Sequence, residues 1–496
     1  MIYKSTRDSG VAVSASKAIA QGISKDGGLF VPQNIPQLNE NDFEHLKKMT
    51  YIERAKYILG FYLDDFSEEE LDYCVKGAYS EGFENNDPAP LKEIEKNKNI
   101  LELWHGPTCA FKDLALQLLP YLLTTSAKKA SRAKETIILV ATSGDTGKAA
   151  LEGFKDVKGT RIIVFYPNNG VSPMQKLQMN TQAGENVYVS AIEGNFDDAQ
   201  SGVKAIFADE KVSKILEESD MAFSSANSIN WGRLVPQIVY YVSAYCDLLN
   251  KGTDLAEGFN VVVPTGNFGN ILAAYYAKTM GVPIAKLICA SNANNVLTDF
   301  INTGVYSRNR NFYTTMSPSM DILISSNLER MLYELYDNNA DKIAELQENL
   351  AKSGEFKVSN EVSEKIRNLF YGGCCDDAET LKTIKKYFET DNYLCDTHTA
   401  VAMAVYDEYL KKTLDKKPVV IASTASPYKF VSSVLRAIAP QEVGKKEFQM
   451  VSELWKASGV AVPNPIRALE NALPRFSNIC QKSKMTDAVL EALKLK

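Results

Sequence analysis

Twice in this chain a run of apolar, largely β-branched residues stops at a glycine-rich turn and continues as a helix. The first run, Thr136–Ile137–Ile138–Leu139–Val140–Ala141–Thr142, leads into Ser143–Gly144–Asp145–Thr146–Gly147 and a helical Lys148–Ala149–Ala150–Leu151–Glu152–Gly153–Phe154. The second, Asn260–Val261–Val262–Val263–Pro264, leads into Thr265–Gly266–Asn267–Phe268–Gly269–Asn270 and a helix from Ile271 to Lys278. Further short apolar runs, Arg161–Tyr166, Asn186–Ser190, Ala285–Ala290 and Pro418–Ala422, alternate with helical stretches. Alternation of this kind predicts an α/β protein with parallel sheets covered on both faces. Each glycine turn ends at a helix N-terminus, whose free N–H groups and dipole suit an anion, and glycine lets the backbone approach a ligand closely. A single such turn is explained by helix capping alone. A nucleotide-binding P-loop is excluded. Gly144–Asp145–Thr146–Gly147–Lys148–Ala149 has two residues between its glycines where the motif needs four, and alanine where it needs a hydroxyl.

Upstream of both turns sits a lysine in an awkward place. In Leu103–Trp104–His105–Gly106–Pro107–Thr108–Cys109–Ala110–Phe111–Lys112–Asp113, the lysine precedes Leu114, Ala115, Leu118, Leu119, Leu122 and Leu123 at helical spacing. Projected on that helix, Lys112 falls at the edge of the apolar stripe. With Thr108 as a cap, it stands in the first turn, where the helix dipole disfavours a cation. Burial pushes a lysine towards its neutral amine as well, the form a Schiff-base lysine needs. Helix geometry alone favours a bland reading, a stem along the core edge with its head in water. The two glycine turns downstream favour chemistry.

The 496 residues suggest about three units of domain size, and 45% hydrophobic content can fill large cores. Lys and Arg number 55 against 61 Asp and Glu, so the formal charge of −6 argues against a nucleic-acid surface. Runs such as Lys128–Lys129 and Glu68–Glu69–Glu70 read as solvated helix faces. No segment reads as a signal peptide or membrane span, and the start leaves no room for a transit peptide, so the expectation is a cytoplasmic protein with no membrane partner. Eight scattered cysteines suggest reduced thiols. With three histidines and no zinc spacing at Cys374–Cys375, no metal is expected. Residues 1–95 read as a mostly helical N-terminal domain, with Asn85–Asn86–Asp87–Pro88–Ala89–Pro90 as its linker. Residues 96–440 form the catalytic region, with a polar helical insertion at about 325–395, and 441–496 a less legible C-terminal segment.

Taken together, His105–Gly106–Pro107–Thr108, Phe111–Lys112–Asp113, Ser143–Gly144–Asp145–Thr146–Gly147 and Gly266–Asn267–Phe268–Gly269–Asn270 resemble threonine synthase. So do Tyr3–Lys4–Ser5–Thr6–Arg7, Asp26–Gly27–Gly28–Leu29–Phe30, Asn227–Ser228–Ile229–Asn230–Trp231–Gly232–Arg233, Ser317–Pro318–Ser319–Met320–Asp321 and Asp396–Thr397–His398–Thr399. The resemblance runs over roughly residues 3–430 and implies two parallel-sheet lobes of the tryptophan-synthase-β type, fold type II among pyridoxal-phosphate enzymes.

What the resemblance implies can be given residue by residue. Lys112 would carry pyridoxal 5'-phosphate as a Schiff base and shuttle protons. Gly266, Asn267, Phe268 and Asn270 would hold the cofactor phosphate, with Gly269 supplying the turn. Thr424 would meet the pyridine nitrogen, although Ser426 departs from the histidine expected before Pro427. Ser143, Asp145 and Thr146 would hold the substrate carboxylate. Asn227, Ser228, Asn230 and Arg233 would hold the substrate's phosphate, for which arginine's planar fork suits; without the resemblance that segment reads as a helix cap with Arg233 in a surface ion pair. His398 reads as a capping residue, and Trp104 and His105 as loop packing. The implied reaction converts O-phospho-L-homoserine and water to L-threonine and phosphate, the last step of threonine biosynthesis, on a monomer. A dehydratase or phospho-lyase of the same fold, and a cofactor-binding relative without turnover, stand as alternatives.

Overall fold

The computed structural model describes residues 1–130, 135–142, 144–169 and 171–495. Two sheets organise the chain. In the larger, six strands lie in the order Phe370–Cys374, Ile284–Ser291, Phe259–Pro264, Val419–Ser423, Lys98–Glu102 and Leu91–Glu95, parallel except for the last pair. In the smaller, Ile479–Gln481, Val187–Glu193, Thr160–Pro167, Glu135–Ala141 and Met221–Ser224 are parallel throughout. The central strands Phe259–Pro264 and Val419–Ser423 are buried at every residue, as expected of strands covered by helices on both faces. The two glycine turns leave the C-terminal ends of Glu135–Ala141 and Phe259–Pro264, the end of an open parallel sheet where ligands bind.

The N-terminal region consists of the helices Ala15–Gln21, Glu40–Leu46, Tyr51–Tyr62 and Glu68–Tyr79 and an antiparallel ribbon of Tyr3–Ser5 with Phe30–Pro32. Capping boxes start three of these helices, Asn39 with Asp42, Thr50 with Glu53 and Ser67 with Glu70. The region shares its core with the sheets. Tyr3 packs edge-on against Trp231, ring centroids 5.4 Å apart, and Leu59, Leu119, Trp231 and Val263 belong to one apolar cluster.

Three boundaries differ from the sequence reading. The segment 325–395 contains Phe370–Cys374, which forms the edge of the larger sheet beside Ile284–Ser291. Its Gly372 and Gly373 hide it, because glycine weakens strand propensity. Here glycine is needed: a Cβ at Gly373 would stand 2.6 Å from Val405. Leu91–Glu95 pairs antiparallel with Lys98–Glu102, so the catalytic sheet begins before residue 96. The C-terminal segment returns to the smaller sheet through Ile479–Gln481, three residues too few to show alternation, and the helix Met485–Ala492 closes the apolar cluster of Val203 and Ile206.

Candidate active site

Lys112 is positioned by an antiparallel seam between the turn before it and the end of the central strand. Phe111 N–H donates to Thr424 O at 2.9 Å and Ser426 N–H to Cys109 O at 3.1 Å, either side of the Ala110–Ala425 bridge, while Leu103 N–H extends the parallel pairing to Ser423 O at 2.9 Å. Thr424 therefore lies against the turn that carries Lys112. Ser426 is fully buried and its hydroxyl accepts from Tyr428 N–H, so it caps the short turn that follows. The single helix expected after Thr108 is two, Lys112–Leu116 and Leu119–Lys129, because Pro120 has no N–H to continue the first. Thr108 is not the cap. Its N–H and hydroxyl both donate to the Asp113 carboxylate, at 2.8 and 2.6 Å, locking the turn.

The Lys112 side chain is 12% exposed, with Nζ 4.0 Å from Asp145 Oδ2 and 4.6 Å from the centre of the Phe111 ring. Burial pushes its amine down to about 8. Asp145 opposes that shift, while the charges of Lys429 and Arg233 reinforce it. Asp145 opens the helix Asp145–Phe154 and is buried. Its Oδ1 meets Lys429 Nζ at 2.7 Å and accepts from Gln175 Nε2 at 3.0 Å, and its Oδ2 accepts from Ser319 Oγ at 3.2 Å. Burial disfavours this carboxylate, but Lys429 and Lys112 hold it far below the usual range. This corrects one expectation: the Asp145 side chain is an anion already shared between two lysines and would repel a substrate carboxylate. What the turn offers a carboxylate is backbone: Gly144 at the N-cap has no side chain, and Thr142 Oγ1 already accepts from the N–H groups of Gly144 and Gly147. Gly144 there takes φ +140°, open to glycine and strained for other residues. Thr146 stands half-buried in the first turn, and Ser143 lies outside the described residues.

The second glycine turn approaches through Ser319. A Cβ at Gly266 would stand 2.8 Å from Ser319 O. Ser325 Oγ donates to Gly266 O at 2.8 Å, and Asn327 donates to Asn267 O from both its N–H and Nδ2 at 3.1 Å. Phe268 takes the left-handed conformation, φ +63°, and no side chain caps the helix Gly269–Thr279 behind it. Asn270 Oδ1 accepts from Tyr240 and Tyr241, which leaves its buried Nδ2 without a partner. An uncapped helix start, a backbone turn closed to side chains and an unpaired buried donor fit a phosphate group.

Arg233 is buried, and its Nη1 donates to Ala226 O, while Nε has no partner. Among the described residues no carboxylate pairs with it, which rules out the surface ion pair, and burial pushes its guanidinium down to about 10. Asn230 is corrected: it caps the helix Trp231–Asn250 through Gly232 N–H and spends Nδ2 on Ile19 O and Ser225 O, leaving nothing for a ligand. Asn227 is exposed. Ser228 is half-buried and lies 3.5 Å from Ser326 Oγ, beside the segment that holds the Gly266 turn.

Other site residues escaped the sequence reading. Lys429 follows Pro427–Tyr428 inside an apolar stretch, the one signal that could have flagged it. Asp396, not His398, caps the helix Thr397–Thr413. His398 instead lies between Asp396 Oδ2, 2.7 Å from Nδ1, and the Ser319 N–H, which donates to Nε2 at 3.2 Å. His105 bridges Glu84 and Glu102, each at 2.9 Å, and stacks on Trp104, whose Nε1 donates to Ser423 Oγ. Burial lowers the His105 imidazole, but its two carboxylates raise it overall. Lys148 pairs with Glu152 and Gln182. Among the described residues no group of three or more His, Cys, Asp or Glu side chains could hold a metal, and no helix is long and apolar enough to cross a membrane.

Residues 100–425 match the family described as pyridoxal-phosphate dependent enzyme. A buried lysine at the end of a parallel sheet, linked through Asp145 and Ser319 to a turn suited to phosphate, fits that class. Residues 2–79 match the threonine synthase N terminus and 399–479 the threonine synthase C-terminal family. Threonine synthase of Saccharomyces cerevisiae is 36% identical over 507 residues, covering 95% of this chain and 97% of that one. The PLP-bound threonine synthase of Brucella melitensis superposes with a TM-score of 0.88 at 35% identity, covering 99% of both chains. Human threonine synthase-like 1 is 42% identical over 87% of this chain, which spans 58% of the human protein's length. The chain belongs to the threonine synthase family.

Proposed function

We propose that this chain is a threonine synthase, converting O-phospho-L-homoserine and water to L-threonine and inorganic phosphate with pyridoxal 5'-phosphate held at Lys112. The observation that carries the reading is Arg233: a buried guanidinium without a carboxylate partner among the described residues, in the same site as Lys112. It supplies a second phosphate site beside the one at Gly266–Asn270, and a dehydratase acting on serine or threonine needs only one. When bound, the cofactor supplies an electron sink for the carbanion at the substrate α-carbon.

The chain's own groups do the rest. Gly266, Asn267, Phe268 and Asn270 would hold the cofactor phosphate, and Thr424 would meet the pyridine nitrogen. The backbone at Asp145 and Thr146, with Ser143, orients the substrate carboxylate. Arg233, with Asn227 and Ser228, takes the leaving phosphate, which departs from the γ-carbon as a dianion that a buried cation stabilises. Lys112 Nζ, brought down to about 8 by burial, takes the α-proton in its free-amine form; a β-proton also leaves before phosphate departs from the γ-carbon, and protons return to the γ- and α-carbons. Water then adds at the β-carbon, so one water enters and one phosphate leaves for each threonine formed. All eight cysteines are free, which fits a reducing cytoplasm, and the residues named for the site all come from one chain, which fits a monomer.

Incubating the protein with pyridoxal phosphate and O-phosphohomoserine should release phosphate and threonine in equal amounts. Phosphate accompanied by oxobutyrate would make the enzyme a phospho-lyase, and no product would leave a binding protein. Lys112→Ala should lose the borohydride-reducible cofactor linkage, read by mass spectrometry, and at least about 10²-fold in turnover.

A further inference from the structure

Lys429 has no role in the chemistry above, yet its side chain is 0% exposed and it reaches the centre of the site. Its ammonium donates to Thr108 O at 2.9 Å and pairs with Asp145 Oδ1 at 2.7 Å. The same carboxylate presents its other oxygen to Lys112 at 4.0 Å. One anion thus stands between two lysines, in hydrogen-bonded contact with one and beyond hydrogen-bond distance of the other. Gln175 and Ser319 fix the carboxylate in that orientation, and His398 in turn holds Ser319 through its backbone N–H.

We propose that Lys429 is a positioning residue for Lys112: by taking the Asp145 carboxylate into its own ion pair, it keeps that carboxylate off the Lys112 amine and leaves the amine free to act as a base. The inference rests on the reading of Lys112 as the cofactor lysine. A charged amine cannot take a proton or attack a carbonyl. A carboxylate paired directly with Lys112 would hold it charged at neutral pH, and a neutral site without Asp145 would leave Lys429 as an uncompensated buried cation. The groups facing Lys112 are Asp145 on the helix Asp145–Phe154, Lys429 on the turn after the central strand, Arg233 on the helix Trp231–Asn250 and Asp113 on its own helix. Lys429 and Arg233 favour the neutral amine and the two carboxylates oppose it, so Lys429 acts twice, by its own charge and by occupying Asp145.

The test uses the full chain without cofactor. Acetic anhydride acetylates only neutral amines, and peptide mass spectrometry gives the rate at Lys112 as a function of pH. Lys429→Met should move the midpoint for Lys112 upward by about one unit or more, so that labelling below the midpoint slows about tenfold. Lys429→Arg, which keeps the cation, should restore the parent profile. Asp145→Asn should move the midpoint the other way, and serves if Lys429→Met does not fold. A purely structural role would move the melting temperature of Lys429→Met but leave the Lys112 midpoint where it was. An unmoved midpoint in Lys429→Met, or in Asp145→Asn where only that variant folds, would overturn the proposal. Repeating the labelling after loading pyridoxal phosphate separates the two readings: failure of the cofactor to protect Lys112 would overturn the assignment of the cofactor lysine, whatever the variants do.

Discussion

Lys112 is a residue whose usefulness and cost have one origin. Its amine is brought down to about 8 from an ordinary value near 10.5, chiefly by burial. Folding therefore favours the neutral form, and the unfolded chain binds the extra proton between those two values. The sign follows: below about 8 the folded state carries the full cost of a buried cation, and the cost fades as pH rises towards 10.5. In cofactor-free protein, Lys112→Met should be more stable than the parent at pH 7, on the order of 1–3 kcal/mol, and the gap should close at alkaline pH. Urea unfolding of both proteins across that range checks it; a constant gap would mean that packing, not charge, sets the difference. The position of Lys112 was legible in the sequence, because a lysine on an apolar stripe ahead of two glycine turns is unusual. Lys429 was not, because its significance lies in reaching Asp145, which is 284 residues away in sequence (429 − 145) and adjacent only after the sheets form.

At the scale of elements, the site depends on helix starts left uncapped and on the segments that hold them. The Gly266 turn lies against Ser319, so Gly266→Ala should push the turn aside and weaken cofactor affinity about tenfold or more, read by absorbance titration, with the fold intact. Behind it stands Arg330, 0% exposed, which donates to Phe30 O in the N-terminal ribbon, Ile229 O in the candidate phosphate segment and Asn327 Oδ1 beside the Gly266 turn. Arg330→Met should strand these buried acceptors and cost at least about 2 kcal/mol in urea unfolding, with weaker retention of cofactor. Strand positions could be read to within a residue or two from runs such as Ala285–Ala290, found as Ile284–Ser291. Phe370–Cys374 could not, since its two glycines carry no side-chain pattern and its place is set by the helices that pack on it.

Over the whole molecule, the N-terminal helices share one core with the catalytic lobes. Tyr3 and Tyr62 pack on Trp231, and Arg7 and Thr6 bind Glu329 on the far side of the chain. A chain lacking residues 1–79 should therefore expose that apolar face and be recovered aggregated or dye-binding rather than folded. A cooperative melt and a monodisperse profile for residues 80–496 would show that the region is dispensable. The sequence by itself determined the parallel α/β layers, the two anion-receptive turns and the lysine, because each is written in local periodicity and local backbone chemistry. Only the tertiary structure decided which charges share the site, that Asp145 belongs to the lysines, and where the C-terminal strand returns. Those outcomes depend on burial and on pairings between residues distant in the chain, and neither leaves a local trace.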